Sequence, residues 1–183
     1  MMNVIRSMVR YCSEALGDEW EVRMAIDESF GRPFARVTPA TPVASTPHGP
    51  AHRDLRQTIS IVAFPTEGIN AESSAFEAAR VERLLLDAFT KGIDAPSFSS
   101  RSQRAHPMRV PLFDYENVGL RDAAITRIGY LKVTDPPAVS YFPDPSSTDS
   151  YVVTADIRVG WNESVAPPPS GPLTQTVTVE PGP

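Results

Sequence analysis

Apolar side chains recur every three or four positions in two segments of the chain, which is the pattern of a helix with one buried face. In residues 2–16 the repeat consists of Val4, Ile5, Met8, Val9, Cys12, Ala15 and Leu16. In residues 70–91 it consists of Ala78, Val81, Leu84, Leu85, Ala88 and Phe89. Gly17 and Gly92 follow these segments, and glycine is common just after a helix ends. The sequence therefore predicts two helices, the second capped by Asn70 or Ser73.

Strict alternation of apolar and polar residues marks the clearest strand. In residues 151–161 the apolar positions are Tyr151, Val153, Ala155, Ile157, Val159 and Trp161. This pattern predicts an antiparallel strand with one buried face. Residues 20–26 alternate in the same way, a turn with Gly31 and Pro33 follows, and residues 34–37 have the composition of a returning strand. We therefore expect a hairpin over residues 20–37.

Further strand patterns lie between and after these elements. Residues 57–64 are apolar on both faces and rich in β-branched side chains, which is typical of a central strand. Residues 127–133 and 139–142 are shorter candidates, and residues 109–115 suit an edge because they contain Pro111. This order of elements is that of an α+β protein. We expect an antiparallel or mixed β-sheet with two main helices packed on one face.

Proline accounts for 19 of the 183 residues, roughly twice its usual share. Many of these prolines fall in residues 38–56 and 162–183. Because proline fixes φ and lacks an N–H donor, we expect a long, extended Pro-rich arm over residues 38–56 and a flexible Pro-rich C-terminal tail over residues 162–183. Residues 1–161 are predicted to form a single α+β domain, in which residues 93–109 are a basic loop.

The formal net charge of −5 is carried entirely by residues 133–183. An acidic chain does not favour a general nucleic-acid-binding protein, although residues 29–66 and 95–113 are locally basic. No apolar run reaches the roughly 18 residues that a membrane-spanning helix needs, so no membrane contact is expected. Cys12 is the only cysteine and cannot form an internal disulfide.

The residue types that carry catalysis or bind metals do not form a recognisable motif. His48 and His52 are four positions apart, but Pro50 between them prevents the helix that would direct both at one metal ion. Cys12 lies on the apolar face of a predicted helix, where a thiol is typically a core side chain. Asp114 is best explained as a turn residue. The sequence predicts no catalytic, metal-binding or cofactor-binding residue and favours a protein that acts through its surfaces.

Several segments resemble, in order, the tail terminator proteins of long-tailed (siphovirus-type) bacteriophages of actinobacteria. They are residues 4–11 (VIRSMVRY), 15–23 (ALGDEWEVR), 32–37 (RPFARV) and 109–115 (RVPLFDY), together with a last strand, residues 153–161, that ends in an aromatic residue. The resemblance covers residues 2–161. It does not include the Pro-rich tail.

The resemblance implies a non-enzymatic structural role in the virion. Tail terminators form a ring, usually of six subunits, that caps the completed tail tube, stops its polymerisation and joins the tail to the neck. The implied partners are identical subunits, the major tail tube protein and the neck adaptor or stopper proteins, with passive contact to DNA in the ring lumen as a further expectation. The implied location is the head–tail junction of the virion, assembled in the host bacterial cytoplasm, and no cofactor is implied.

Interface residues are predicted from exposure and charge because the family has no motif that assigns them. We expect them to be Arg53, Arg56, Arg101, Arg104, Arg109, Phe113 and Tyr115. Two other functions stay open at the level of sequence. One is a head-side neck adaptor or stopper protein of the phage connector, and the other is a small enzyme that uses Asp114 and His106.

Overall fold

The computed structural model describes residues 2–24, 31–49, 52–91, 108–115, 127–147 and 149–164. These residues form an α+β fold of two helices and a curled, mixed sheet. The elements in chain order are α1 (Met2–Leu16), β1 (Glu21–Arg23), β2 (Phe34–Pro39), β3 (Ala44–Pro47), β4 (His52–Phe64), α2 (Ala71–Lys91), β5 (Arg109–Phe113), β6 (Arg127–Val133), β7 (Ala138–Pro143) and β8 (Tyr151–Ser164). Most of the predicted basic loop and of the predicted tail lies outside the described residues.

Both predicted helices are confirmed, and their ends follow from local hydrogen bonding. After α1, Gly17 has a φ of +98° and its N–H donates to the carbonyl of Ser13 at 3.0 Å, the left-handed helix end that glycine favours. Before α2, the Asn70 side-chain oxygen accepts from the Ser73 N–H at 2.9 Å, and Ser73 Oγ accepts from the Asn70 N–H at 3.1 Å. This reciprocal cap satisfies backbone donors that the first turn leaves free.

Two long antiparallel strands form the centre of the sheet. Strand β4 pairs with β8 from His52 opposite Ser164 to Ala63 opposite Val153. The described strands follow the order β1-β2-β4-β8-β6-β5, while β3 lies beside the first part of β4 and β7 beside the first part of β8. The predictions of a central strand at 57–64, an antiparallel strand at 151–161 and an edge strand around Pro111 are confirmed.

The hairpin predicted over residues 20–37 is wrong. Strand β1 pairs with β2 in parallel, with Glu21 opposite Phe34 and Arg23 opposite Arg36. Two parallel strands cannot be joined by a tight turn, because the chain must first return to the end at which it started. Alternation predicted the strand itself but contains no information on its direction relative to β2.

The segment 38–56, predicted as an extended arm, contains the end of β2, all of β3 and the beginning of β4. Strand β3 pairs antiparallel with β4, from Ala44 opposite Arg56 to Pro47 opposite Arg53. Proline is compatible with such a position because β3 has no described strand on its other side.

The core lies between the helices and one face of the sheet. Alternate residues of the central strands are fully buried there, namely Ile59, Ile61, Ala63, Val153, Ala155, Ile157 and Val159. They pack with Met8 of α1 and with Leu85 and Phe89 of α2. The Tyr11 hydroxyl donates to the carbonyl of Ala88 at 2.7 Å and so connects the two helices. Burial of each large apolar side chain contributes about 1.5–3 kcal/mol.

Candidate functional site

The sheet face that points away from the helices, called the outer face below, carries a row of basic side chains. The register sets Arg56 opposite Gly160, Gly160 opposite Lys132 and Lys132 opposite Arg109. Arg56, Lys132 and Arg109 are exposed, while Gln57, Leu131 and Val110 beside them in sequence are buried on the other face of the sheet. Because adjacent strands are about 4.8 Å apart, the row spans roughly 15 Å across four strands.

Gly160 occupies the middle of this row. A Cβ atom at this position would lie 3.3 Å from Thr134 Cγ2 and 3.8 Å from Arg56 Cγ. The Arg56 stem therefore lies against β8, the strand that separates it from Lys132. The absence of a side chain at residue 160 leaves room for Arg56 to do this.

Tyr130 lies beside the row and contacts two guanidinium groups, that of Arg109 in the row and that of Arg127 outside it. Its ring centroid is 6.0 Å from the Arg109 guanidinium carbon and 5.0 Å from that of Arg127. Cation–π attraction holds both arginines near the ring, which is itself 41% exposed. Arg56, Arg109, Arg127 and Lys132 are called the basic cluster below.

The basic cluster is not neutralised within the described part of the chain. None of its four cations has a carboxylate within 4.0 Å there. Arg158, on the same face, differs because its Nη1 is 3.0 Å from Asp135 Oδ2. The cluster is therefore a local excess of positive charge on a chain whose net charge is negative.

Few acids lie on the outer face among the described residues. Asp135 binds Arg158, and Asp54 Oδ2 lies 3.9 Å from His48 Nδ1. Asp156 lies opposite Ser60 and Ala138, four residues along β8 from Gly160. This distribution leaves the positive potential of the cluster available to a ligand from outside the chain.

Two of the predicted interface residues contact helix α1 of the same chain. The Phe113 N–H donates to Ser7 Oγ and the Tyr115 N–H donates to Asn3 Oδ1, each at 2.9 Å. Arg10 lies 4.4 Å from the centroid of the Phe113 ring, and Arg6 lies 5.7 Å from that of Tyr115. An open groove runs along α1 beside Tyr115, lined also by Arg6, Arg10, Val22 and Met24.

The other predicted interface residues divide into three groups. Arg56 and Arg109 belong to the basic cluster. Arg53 is exposed near the start of β4, between Pro47 of β3 and Glu163 of β8. Arg101 and Arg104 lie outside the described residues. Sequence reasoning missed Lys132 and Arg127, because both lie in the short strand β6 and only the register reveals their neighbours on other strands.

A buried ion pair closes one end of the sheet and was not predicted. Asp144 is 5% exposed and accepts hydrogen bonds from Ser146 Oγ at 2.6 Å and from the Ser146 N–H at 2.8 Å. It also pairs with Arg32, whose guanidinium carbon lies 5.6 Å from the Phe64 ring centroid. The Ser146 hydrogen bonds, and then the Arg32 charge, lower the pKa of Asp144 below its ordinary value. The position is peripheral and tightly hydrogen-bonded, which suits a structural role.

Of the residues considered for catalysis or metal binding, His48 lies beside His52, whose carbonyl accepts from the His48 N–H. Cys12 is fully buried, and burial raises the pKa of its thiol to about 12. Asp114 Oδ1 accepts from Asn3 Nδ2 at 3.4 Å, beside α1, while His106 lies outside the described residues. Within the described ranges, histidine, cysteine and acidic side chains do not gather in threes around any one point.

No family model and no curated protein matches the chain. Among the described residues, neither helix combines the length and the apolar character that crossing a membrane requires.

Proposed function

We propose that this chain is a structural protein of a bacteriophage virion, a tail terminator that caps the tail tube as a ring and joins the tail to the neck. The identity of the assembly rests on the resemblance carried by residues 2–161. The structural observation that supports a ring is that β3 and β7, each with no described strand on its outer side, lie on opposite sides of the central β4–β8 pair.

The outer edges of β3 and β7 also lie at opposite ends of the central pair. Strand β3 runs beside residues 53–56 of β4, and β7 runs beside residues 151–156 of β8. All residues of β3 are exposed, and so are all residues of β7 except Val139. An exposed strand edge is a template for pairing with another chain. Pairing β3 of one subunit with β7 of the next joins different surfaces, and contacts of this kind form a ring when the rotation between subunits closes and a filament when it does not.

The register of β3 identifies which backbone groups would make this contact. The His48 N–H donates to the carbonyl of His52 at 2.9 Å. Hydrogen-bonded residues alternate along an antiparallel ladder, so Thr46 also points its backbone groups at β4. The backbone groups of Ser45 and Pro47 then point to the open edge. Pro47 has no N–H, so it fits a position that donates no hydrogen bond to β4.

The test is the native mass of the purified full chain, measured by light scattering with and without the major tail tube protein. A mass near six chains of 20.0 kDa, retained or recruited onto the tube, supports the terminator. A strictly monomeric protein that does not bind the tube refutes it. Binding to the portal complex in place of the tube would instead identify a head-side neck adaptor.

A pair of variants at one position tests the edge contact. Ser45→Pro removes the outward N–H while the hydrogen bonds between β3 and β4 are kept. We expect it to remain folded and to lose the ring, whereas Ser45→Ala, which keeps the N–H, assembles normally. A ring that forms equally well with both variants would place the subunit contact elsewhere.

A further inference from the structure

We infer that the basic cluster on the outer face binds the phosphate backbone of double-stranded DNA without reading its sequence. This deepens the proposed function, on which it rests for the choice of DNA as the polyanion. It concerns a surface of the single subunit, so DNA binding can be measured separately from ring formation.

Charge is the first argument. Four cations from three strands meet on one face, and none is paired with a described carboxylate. Cations gathered at this density raise each other's free energy unless an anion is near. The rest of the chain carries excess negative charge, so these cations are concentrated in one place. A polyanion is the ligand that would neutralise the cations.

Spacing is the second argument. Lys132 and Arg109 lie on adjacent strands, and Arg56 lies two strands away across Gly160. Long side chains on strands about 4.8 Å apart can follow successive phosphates of a backbone that crosses the sheet. The cluster offers only Arg, Lys and one tyrosine ring that two arginines already contact. Contacts of this type position DNA and carry no base specificity.

An acidic surface of a second copy is the competing ligand, and the helices make it less suitable. Three of their five carboxylates pair with cations of the same helix: Glu14 binds Arg10 at 3.1 Å, Glu77 binds Arg80 at 2.9 Å and Asp87 binds Lys91 at 2.7 Å. Binding the basic cluster would require these pairs to be exchanged. Phosphates of DNA bring only mobile counterions, whose release favours binding.

The experiment is fluorescence anisotropy of a labelled 30-base-pair duplex titrated with the full chain at several salt concentrations. Three to four phosphate contacts predict a slope of about −3 in log K against log salt, so that the affinity falls roughly 60-fold between 50 and 200 mM. Two duplexes of unrelated sequence should bind equally.

Variants with the same change of charge locate the site. Arg56→Gln and Lys132→Gln should each weaken binding roughly eightfold at 0.1 M salt and make the slope less steep by about 1. Arg83→Gln is the matched control, because Arg83 is also exposed and forms no described ion pair but lies on α2. Thermal unfolding followed by circular dichroism verifies that all three variants are folded.

Several outcomes overturn the inference. Equal losses in all three variants would mean a diffuse charge effect, and unchanged binding in Arg56→Gln and Lys132→Gln would place any DNA contact elsewhere. Displacement of the duplex by polyglutamate at an equal concentration of charge would assign the cluster to an acidic protein. DNA binding that depends on the cluster, in a protein that never assembles, would support this inference and refute the ring. A ring whose DNA binding is unchanged by the cluster substitutions would support the ring and refute this inference.

Discussion

The guanidinium of Arg32 and the carboxylate of Asp144, 112 positions apart in the sequence, form an ion pair with Nη2 and Oδ2 separated by 2.5 Å. Both side chains are largely buried, at 17% and 4% exposure respectively. The pair joins the segment before β2 to the segment after β7, two strands that do not touch each other in the sheet. It therefore ties the two sides of the central β4–β8 pair together at one end.

Removal of the Asp144 charge should destabilise the fold. Asp144→Asn leaves Arg32 largely buried without its main counter-charge, and we expect a loss of about 2–3 kcal/mol in the free energy of unfolding. Asp135→Asn is the matched control, because it breaks the exposed pair with Arg158 and should cost less than about 1 kcal/mol. Urea denaturation measures both, and equal losses would contradict the structural role of the buried pair.

The same carboxyl group should make stability depend on pH in the acid range. Hydrogen bonds from Ser146, and the charge of Arg32, hold the pKa of Asp144 below its ordinary value of 3.8. Because the folded state has the lower pKa, ionised Asp144 stabilises the fold above the unfolded pKa, and this contribution is lost as the pH falls through the folded pKa.

The measurement is the difference in unfolding free energy between the wild type and Asp144→Asn, from about pH 6 down to about pH 2.5. We expect the difference to be constant above about pH 4 and to shrink below it. A difference that stays constant through the acid range would show that the group does not titrate differently in the folded and unfolded states.

The sequence predicts those parts of the fold that local periodicity encodes. The helix repeats of residues 2–16 and 70–91 reproduce α1 and α2 within one residue, and the alternation of residues 151–161 identifies β8 as antiparallel with one buried face. The direction of β1 escaped prediction because parallel and antiparallel strands have the same side-chain alternation.

The basic cluster illustrates what periodicity cannot predict. Arg56 and Arg109 are recognisable in the sequence as exposed cations, but their neighbourhood depends on the register of four strands. Register is a long-range property, fixed by which faces the whole sheet buries. For the same reason Lys132, Arg127 and the Arg32–Asp144 pair were not identified before the structure.

Cys12 should be chemically inert in the folded protein. Its thiol is fully buried, and burial raises its pKa to about 12, so neither the access nor the thiolate that a reagent needs is present. We expect a disulfide reagent to react with one thiol per unfolded chain, and with the native protein on the order of a thousandfold more slowly, since opening is required. Rapid labelling of the native protein would contradict the packing of α1.

Gly160 should tolerate a side chain poorly, since it lies in the middle of the basic row. A Cβ atom there meets Thr134 at 3.3 Å and Arg56 at 3.8 Å, and the γ-carbons of valine reach further. Gly160→Val should therefore cost about 1–3 kcal/mol through overpacking. It should also move the Arg56 stem away from Lys132 and weaken DNA binding by the cluster.

Gly129 of β6 provides the matched control for this substitution. A Cβ atom at Gly129 would meet nothing within 4 Å, and valine is favoured in strands. Gly129→Val should therefore change the unfolding free energy by less than about 0.5 kcal/mol and leave DNA affinity unchanged. Urea denaturation and the anisotropy titration distinguish the two variants. If both valines are tolerated equally, the space above Gly160 is not what holds Arg56 in the row, and the geometry of the basic cluster must depend on other contacts.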